Sequence, residues 1–284
     1  MPVISFVQAG RILSAIGENL PDVRVFMDLG LSPVSVDINH KFKEVSFSGV
    51  KVSFSALEEI AANDTICFFV EGNKPPQKLK LFSADTNLFY KLVPSEDAPT
   101  LEISGIRMHR TQERTPWQDT LDKISSIAPL HGRVLDTCCC LGYTAIASAR
   151  QQDVVQVFTF ERDTNVLEMA DYNPWSRELY LNRKIKLTVG DVSKGVESFS
   201  AAFFDAIIHD PPRFALSPEL YSLDFYRQLF RILKPGGRLF HYTGSPGEKQ
   251  GKDFVKGVLH RLKDAGFVKV IHKPDILGVT AAKY

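Results

Sequence analysis

The chain is poor in cysteine, nearly neutral, and without a long apolar run. Only four of its 284 residues are cysteine, and three of these (Cys138, Cys139 and Cys140) are adjacent. Adjacent cysteines do not readily pair with one another, and Cys67 is a lone partner, so a disulfide framework is not expected and a reducing cytoplasm is the natural compartment. The run also lacks the two-residue gaps that let thiolates converge on a tetrahedral ion, so no metal site is expected. No apolar stretch approaches the ~20 residues that span a bilayer. The N-terminus shows no charged segment followed by an apolar one. Neither a membrane partner nor a secretory signal is therefore expected. The 34 Lys and Arg nearly balance the 33 Asp and Glu. Residues 1–105 hold nine basic against thirteen acidic side chains, which leaves the remainder with a modest positive excess. That excess suits a local anionic contact and does not by itself indicate nucleic-acid binding.

What is present divides into two textures. Residues 1–105 begin with Phe6, Ala9, Ile12, Leu13 and Ile16 at helical spacing. Short alternating runs follow at 23–27, 34–38 and 50–54. A helix is expected to start at Ser55, with Glu58 completing a capping box. Further strands are expected at 65–70 and 79–82, and a linker near 94–100. This reads as a small β-rich domain, 1–105, ahead of a larger one, 106–284. In the second, Thr115-Pro116-Trp117-Gln118 reads as a helix start. Strands are then expected at 133–137, 155–161, 185–189, 204–210, 237–242, 267–272 and 278–283. Helices fall between them at 143–151, 164–172, 219–232 and 250–265. Such alternation makes a mostly parallel sheet covered on both faces. The last two strands are joined by a few residues around Pro274, which calls for an antiparallel hairpin.

The chemistry is located by residues 134–145. An apolar strand runs into Asp136, a turn of small residues follows, and a helix opens near Gly142. About 25 residues after Asp136 a second strand ends on Glu161. This is the layout of a nucleotide-binding βαβ unit, in which backbone amides at the helix start suit an anionic group. Asp191 and Asp210 also fall at carboxyl ends of expected strands, where open α/β sheets bind ligands. Within the turn the cysteines read as small packing residues; the rival reading is a thiolate beside a helix N-terminus.

Residues 133–284 resemble the catalytic domain of class I S-adenosylmethionine-dependent methyltransferases. Asp136 and Gly142 match the ends of that family's first motif, with Cys138 and Cys140 standing where it has glycines. Glu161 matches the acid that holds the ribose hydroxyls. Gly190-Asp191-Val192 matches the third motif, whose acid accepts from the adenine amine. Asp210-Pro211-Pro212-Arg213 matches the fourth, and Leu233-Lys234-Pro235-Gly236-Gly237 the turn into the fifth strand. The resemblance implies an α/β Rossmann-like fold with a seven-stranded sheet and S-adenosylmethionine as cofactor. The whole chain, including residues 99–110 and Asn173-Pro174-Trp175-Ser176, is similar to an archaeal family of predicted methyltransferases grouped by fold with spermidine synthases.

Asp210-Pro211-Pro212-Arg213-Phe214 bears most on the acceptor. In amino-methylating members the acid and a proline carbonyl accept from the target N–H while a ring stacks on a planar base. Here Arg213 occupies the stacking slot and Phe214 comes next. The expectation is transfer to a base nitrogen, in RNA, with the base extruded toward the site. Carbon-5 cytosine methylation needs a cysteine near the fourth or fifth strand, and none lies between Phe204 and Gly247. His209, His241 and Tyr242 are candidates to face the reaction centre. Arg107, His109 and Arg110 are candidates to contact substrate, against the alternative of a solvated charge run. Trp175 reads as packing rather than a cofactor lid. Two rivals stay open. One is aminopropyl or aminocarboxypropyl transfer to a small amine or RNA. The other is a non-catalytic S-adenosylmethionine-binding protein. The N-terminal domain is free to recognise substrate, cover the site or form a homodimer interface.

Overall fold

The computed structural model of the chain describes residues 2–244 and 248–284, with side chains throughout except those of 248–253. The chain forms two compact units. One comprises Met1–Trp117 with Asn165–Arg177, the other Gln118–Thr164 with Glu178–Tyr284.

The second unit is an α/β sandwich around one seven-stranded sheet. Its strands are β1 (Gly132–Asp136), β2 (Val154–Glu161), β3 (Ile185–Val189), β4 (Phe204–His209), β5 (Leu233–Tyr242), β6 (Val268–Lys273) and β7 (Gly278–Ala282). They lie in the order β3-β2-β1-β4-β5-β7-β6. β1 to β5 pair in parallel, and β7 runs antiparallel to both β5 and β6. The hairpin expected around Pro274 is therefore present. The central strands are nearly continuous apolar runs because both their faces are covered. Val134 and Leu135 of β1 and Ile207 and Ile208 of β4 are all fully buried. The helix Leu223–Ile232 buries Phe225, Tyr226, Leu229 and Ile232 along one face, and Ser222 caps it by accepting from the Phe225 amide at 3.1 Å. Each such burial contributes roughly 1.5–3 kcal/mol. The strand order reverses between β1 and β4. In open α/β sheets ligands bind at such a switch point, beyond the strands' carboxyl ends.

The start of β5 is less regular than the expected 237–242. Leu233 pairs with Phe204, and pairing resumes only at Arg238 with Ala206. The intervening Lys-Pro-Gly-Gly loops out, with Gly236 at φ +80° in the left-handed region that suits glycine.

The first unit holds three small antiparallel sheets and the helix Phe6–Gly17, whose N-terminus carries a Ser5–Gln8 capping box. Two expectations are corrected here. The helix Phe54–Ala61 is capped by Ser53, not Ser55. Ser53 keeps extended backbone angles and its Oγ accepts from the Ala56 amide at 3.2 Å, whereas Ser55 already lies in the first turn. Residues 94–99 are not a linker either. They join strands Leu88–Val93 and Thr100–Ile103, which pair directly, Val93 opposite Thr100. Within the same unit Trp175 packs. Its Nε1 donates to the Leu29 carbonyl at 3.1 Å and its ring lies 5.5 Å from that of Trp117. No helix among the described residues is long and apolar enough to cross a membrane.

Candidate active site

The acids at the carboxyl ends of β1, β2 and β3 are held by hydroxyls and backbone amides. Asp136 is fully buried. Its carboxylate accepts from Thr144 Oγ1 at 2.9 Å and from Thr159 Oγ1 at 2.7 Å. Thr144 belongs to the helix Tyr143–Ala149 and Thr159 to β2, so Asp136 ties the turn's helix to the neighbouring strand. Burial raises its pKa to about 7, the two hydroxyls oppose the rise, and the nearby Asp210 and Glu161 charges add to it. The carboxylate is fully buried with a hydroxyl on each oxygen, so its contribution to ligand binding runs through the shape of the turn.

The turn itself explains the cysteines. Cys138 and Cys140 are half-buried and Cys139 is buried. Burial, reinforced by the Glu161 and Asp136 charges, pushes all three thiols well above their ordinary pKa. They are packing thiols, and the thiolate reading finds no support. Cys140 has φ +47°, a conformation that costs an L-residue roughly 1–2 kcal/mol. Glycine is the expected residue there for that reason. Gly142 has φ +80°, and a Cβ on it would sit 3.0 Å from Leu179 Cδ2, so packing as well as backbone angle selects glycine.

Glu161 closes the turn. Its Oε2 accepts from the Cys140 amide at 2.9 Å and its Oε1 from the Asp163 amide at 3.0 Å. Burial raises its pKa and those amides oppose the rise. Its carbonyl accepts from the Gly190 amide at 2.8 Å, which brings the end of β3 alongside. Asp191 caps the short helix Val192–Gly195, its Oδ1 accepting from the Ser193 amide at 2.8 Å, while Val192 is buried beneath.

The end of β4 is held differently. Lys123, on the helix Pro116–Ser125, places its ammonium 2.7 Å from Asp210 Oδ2 and 2.7 Å from Asp119 Oδ2. The side chains of Lys123 and Asp119 are 5 % and 2 % exposed, that of Asp210 21 %. The Lys123 ammonium also lies 4.5 Å from the centroid of the Tyr242 ring at the end of β5. Burial disfavours the Lys123 charge, yet the Asp210 and Asp119 carboxylates outweigh it and drive its pKa up. Burial raises Asp210 and the ammonium opposes that rise. Asp210 Oδ1 takes no hydrogen bond from the described residues, so a held carboxylate keeps one oxygen available at the carboxyl end of this central strand.

His209 and His241 are corrected as candidates for facing the reaction centre. Both are fully buried. His209 engages Thr137 Oγ1 at 2.8 Å and the Leu220 carbonyl at 3.0 Å, which uses both ring nitrogens. Burial lowers its pKa to about 3, so it is neutral. His241 Nε2 meets Tyr226 Oη at 2.7 Å, its Nδ1 is buried without a partner, and its ring lies 4.4 Å from that of His209. These histidines form a neutral layer beneath the site. Of the following residues, Pro211 is buried and Pro212 half-buried, and the Pro212 carbonyl is taken by Tyr221 Oη at 2.8 Å. Arg213 and Phe214 are exposed, with the Phe214 ring 5.5 Å from Tyr221.

Arg107, His109 and Arg110 belong to the first unit and are engaged locally. Arg107 donates to Thr111 at 3.0 Å and lies 3.8 Å from Glu102. Arg110 pairs with Glu113 at 2.9 Å, and His109 Nδ1 meets Thr100 Oγ1 at 3.1 Å. Sequence reasoning did not find Lys123. The available signal was an acid–base pair at i, i+4, Asp119 and Lys123, beside the apolar Ile124 of a helix leading into β1.

A sequence profile described as S-adenosyl-L-methionine-dependent methyltransferase matches residues 168–274. The chain is 44% identical over 273 residues to MJ1233 of Methanocaldococcus jannaschii, an uncharacterised protein, covering 93% of this chain and 91% of that one. It is 30% identical over 120 residues to polyamine aminopropyltransferase 2 of Streptomyces coelicolor, 40% of this chain and 22% of that relative. Among solved structures it resembles spermidine synthase in complex with the transition-state analogue AdoDATO. The TM-score is 0.57 at 17% identity, over 72% of this chain and 71% of that one.

Proposed function

This chain belongs to the same family as MJ1233, and from the match of residues 168–274 to an S-adenosyl-L-methionine-dependent methyltransferase profile we propose that it is such a methyltransferase and that it methylates a base nitrogen in RNA. The observation that carries the reading is the Lys123–Asp210 pair at the end of β4, which holds a carboxylate in place and leaves its Oδ1 to accept from an N–H.

The residues present fit the cofactor. Its ribose diol and adenine amine are donors, and the ends of β2 and β3 offer the acceptors Glu161 and Asp191. Asp191 Oδ1 is committed to its own helix cap, which leaves Oδ2 for a ligand. The small thiols of Cys138 and Cys140 are neutral and do not add charge to the turn. Bound there, S-adenosylmethionine supplies a methyl group already activated by a sulfonium. Catalysis by this chain's residues is then mainly positioning and exclusion of water. Asp210 Oδ1 accepts from the acceptor's N–H and turns the nitrogen lone pair toward the cofactor side. Lys123 fixes the carboxylate and favours its anionic form. Pro211 and Pro212 stiffen the loop that carries it. Phe214 is exposed beside Tyr221, which supports a role in covering the face of a planar base.

Aminopropyl transfer is the second reading, favoured by the short match to a polyamine aminopropyltransferase. A cationic amine needs carboxylates without a resident cation. Here both Asp119 and Asp210 already share the Lys123 ammonium, which supports a neutral acceptor instead. The test supplies S-adenosylmethionine labelled in the methyl carbon or in the aminocarboxypropyl chain, with RNA from a deletion strain or with polyamines. The proposal expects methyl label alone, in an RNA base. Label from the chain, or label in a polyamine, overturns it.

A further inference from the structure

The first unit carries a sheet face, buried at one end by Val93 and Thr100 and open at the other, whose chemistry has no place in the site just described. Its four strands are Lys80–Ser83, Leu88–Val93, Thr100–Ile103 and Ile106–Arg107. Residues directly opposed in an antiparallel sheet share a face. Lys80 opposes Lys91, Lys91 opposes Glu102, and Glu102 opposes Arg107, so one row of charged side chains crosses all four strands. Two positions along, on the same face, Phe82 opposes Phe89. The alternate face carries Tyr90, Leu92 and Leu101, all fully buried.

The two phenylalanines therefore stand on the solvent side of a sheet whose core is already filled. They are 51 % and 62 % exposed, with ring centroids 4.6 Å apart. A strand rise of ~3.3 Å per residue sets this aromatic pair about 7 Å from the charged row. The row holds three cations and one acid. Glu102 pairs with Lys91 at 3.0 Å and approaches Arg107 at 3.8 Å, while Lys80 has no ion pair among the described residues. This cationic row sits in a region whose overall balance is acidic.

We propose that this face binds a single strand of RNA. Bases stack on Phe82 and Phe89, and phosphates run along Lys80, Lys91 and Arg107. Exposed rings beside cations on a sheet suit an unpaired strand because every base has a π-face and every linkage a negative charge. A duplex hides its base faces and gains nothing from the rings. The inference deepens the RNA reading above and rests on it for the identity of the polymer. It gives the first unit the task of gripping the strand that carries the acceptor base.

The test uses the full chain without S-adenosylmethionine and follows the anisotropy of a fluorescein-labelled oligouridine, single-stranded or annealed to its complement. The single strand is expected to bind and the duplex to bind more weakly. Phe82→Ala with Phe89→Ala is expected to weaken the single strand about ten-fold or more, with an unchanged circular dichroism spectrum because both rings are exposed. Lys80→Glu is expected to lower the slope of log affinity against log salt by roughly 1–2. Equal binding of strand and duplex overturns the inference, as does a double variant that binds like the wild type. So does sedimentation showing that the rings drive self-association. A separate methyl-transfer assay tells the two proposals apart. Transfer to RNA without dependence on Phe82 and Phe89 removes the platform and leaves the function. Binding on the platform without transfer does the reverse.

Discussion

On the β1–β3 side of the switch point, Asp136, Glu161 and Asp191 are held by neutral donors: two threonine hydroxyls and the amides of Cys140, Asp163 and Ser193. On the β4–β5 side, Asp210 is held by a buried ammonium from a residue 87 positions earlier in the chain. Neutral donors position an acid without neutralising it, which suits a half that meets a cationic cofactor. An ammonium positions the acid and offsets its charge, which suits a half that meets a neutral nitrogen. The difference also separates what fails when each half is altered. Loss of a neutral donor loosens a contact, whereas loss of the ammonium leaves two carboxylates facing each other in the interior.

The largest effect is expected at that ammonium. Lys123→Met leaves Asp119 and Asp210 uncompensated, and removing one partner of a buried pair costs roughly 3–5 kcal/mol. Thermal and urea unfolding read this directly, and Lys123→Arg should recover part of the loss. A Lys123→Met protein as stable as the wild type would erase the contrast between the halves. Next comes Asp136. Its folded pKa, about 7, lies above the unfolded value, so its contribution is fully present at low pH and fades as pH rises between about 4 and 7. Asp136→Asn should remove that decline, a gap of up to a few kcal/mol by pH 8. His209 works in the opposite sense. With its folded pKa near 3, stability is lost as pH falls from 6.5 toward 3, and Asp136→Asn should leave this acid limb in place. A smaller effect is expected at Glu161. Glu161→Gln should weaken S-adenosylmethionine binding about ten-fold or more by calorimetry, since hydrogen bonds to a charged acceptor contribute roughly 1.5–3 kcal/mol. Its melting temperature should fall by a few degrees, because the Gln Nε2 cannot accept from the Cys140 or Asp163 amide, a loss of roughly 1–3 kcal/mol. The smallest concerns Cys140. Glycine relieves the left-handed strain but adds unfolded-chain entropy, so Cys140→Gly should gain no more than about 1 kcal/mol and leave cofactor affinity unchanged.

The neutral half was legible because its parts are close in sequence. Asp136, the small-residue turn and Glu161 belong to one βαβ unit, and near-continuous apolar runs placed the strands within a residue or two, as with 133–137 against Gly132–Asp136. The charged half was legible only at Asp210. Lys123 lies on a helix before the sheet, and no local pattern says which strand end a lysine will reach. His209 shows the converse error. A polar residue at a strand end suggested chemistry, but Thr137 and the Leu220 carbonyl satisfy it in the core. The linker expected near 94–100 has a similar origin. Proline and acidic residues mark a break in pattern, and only the pairing of Val93 with Thr100 tells a hairpin connection from a boundary.

The two-halves account is tested most directly by measuring S-adenosylmethionine affinity and methyl transfer to RNA side by side in Asp210→Asn and Glu161→Gln. The account predicts that Asp210→Asn binds the cofactor like the wild type while transfer falls about 100-fold or more. It predicts that Glu161→Gln loses affinity and recovers much of its transfer at saturating cofactor. An Asp210→Asn protein that transfers methyl groups undiminished, or one whose cofactor affinity falls as far as that of Glu161→Gln, would contradict it.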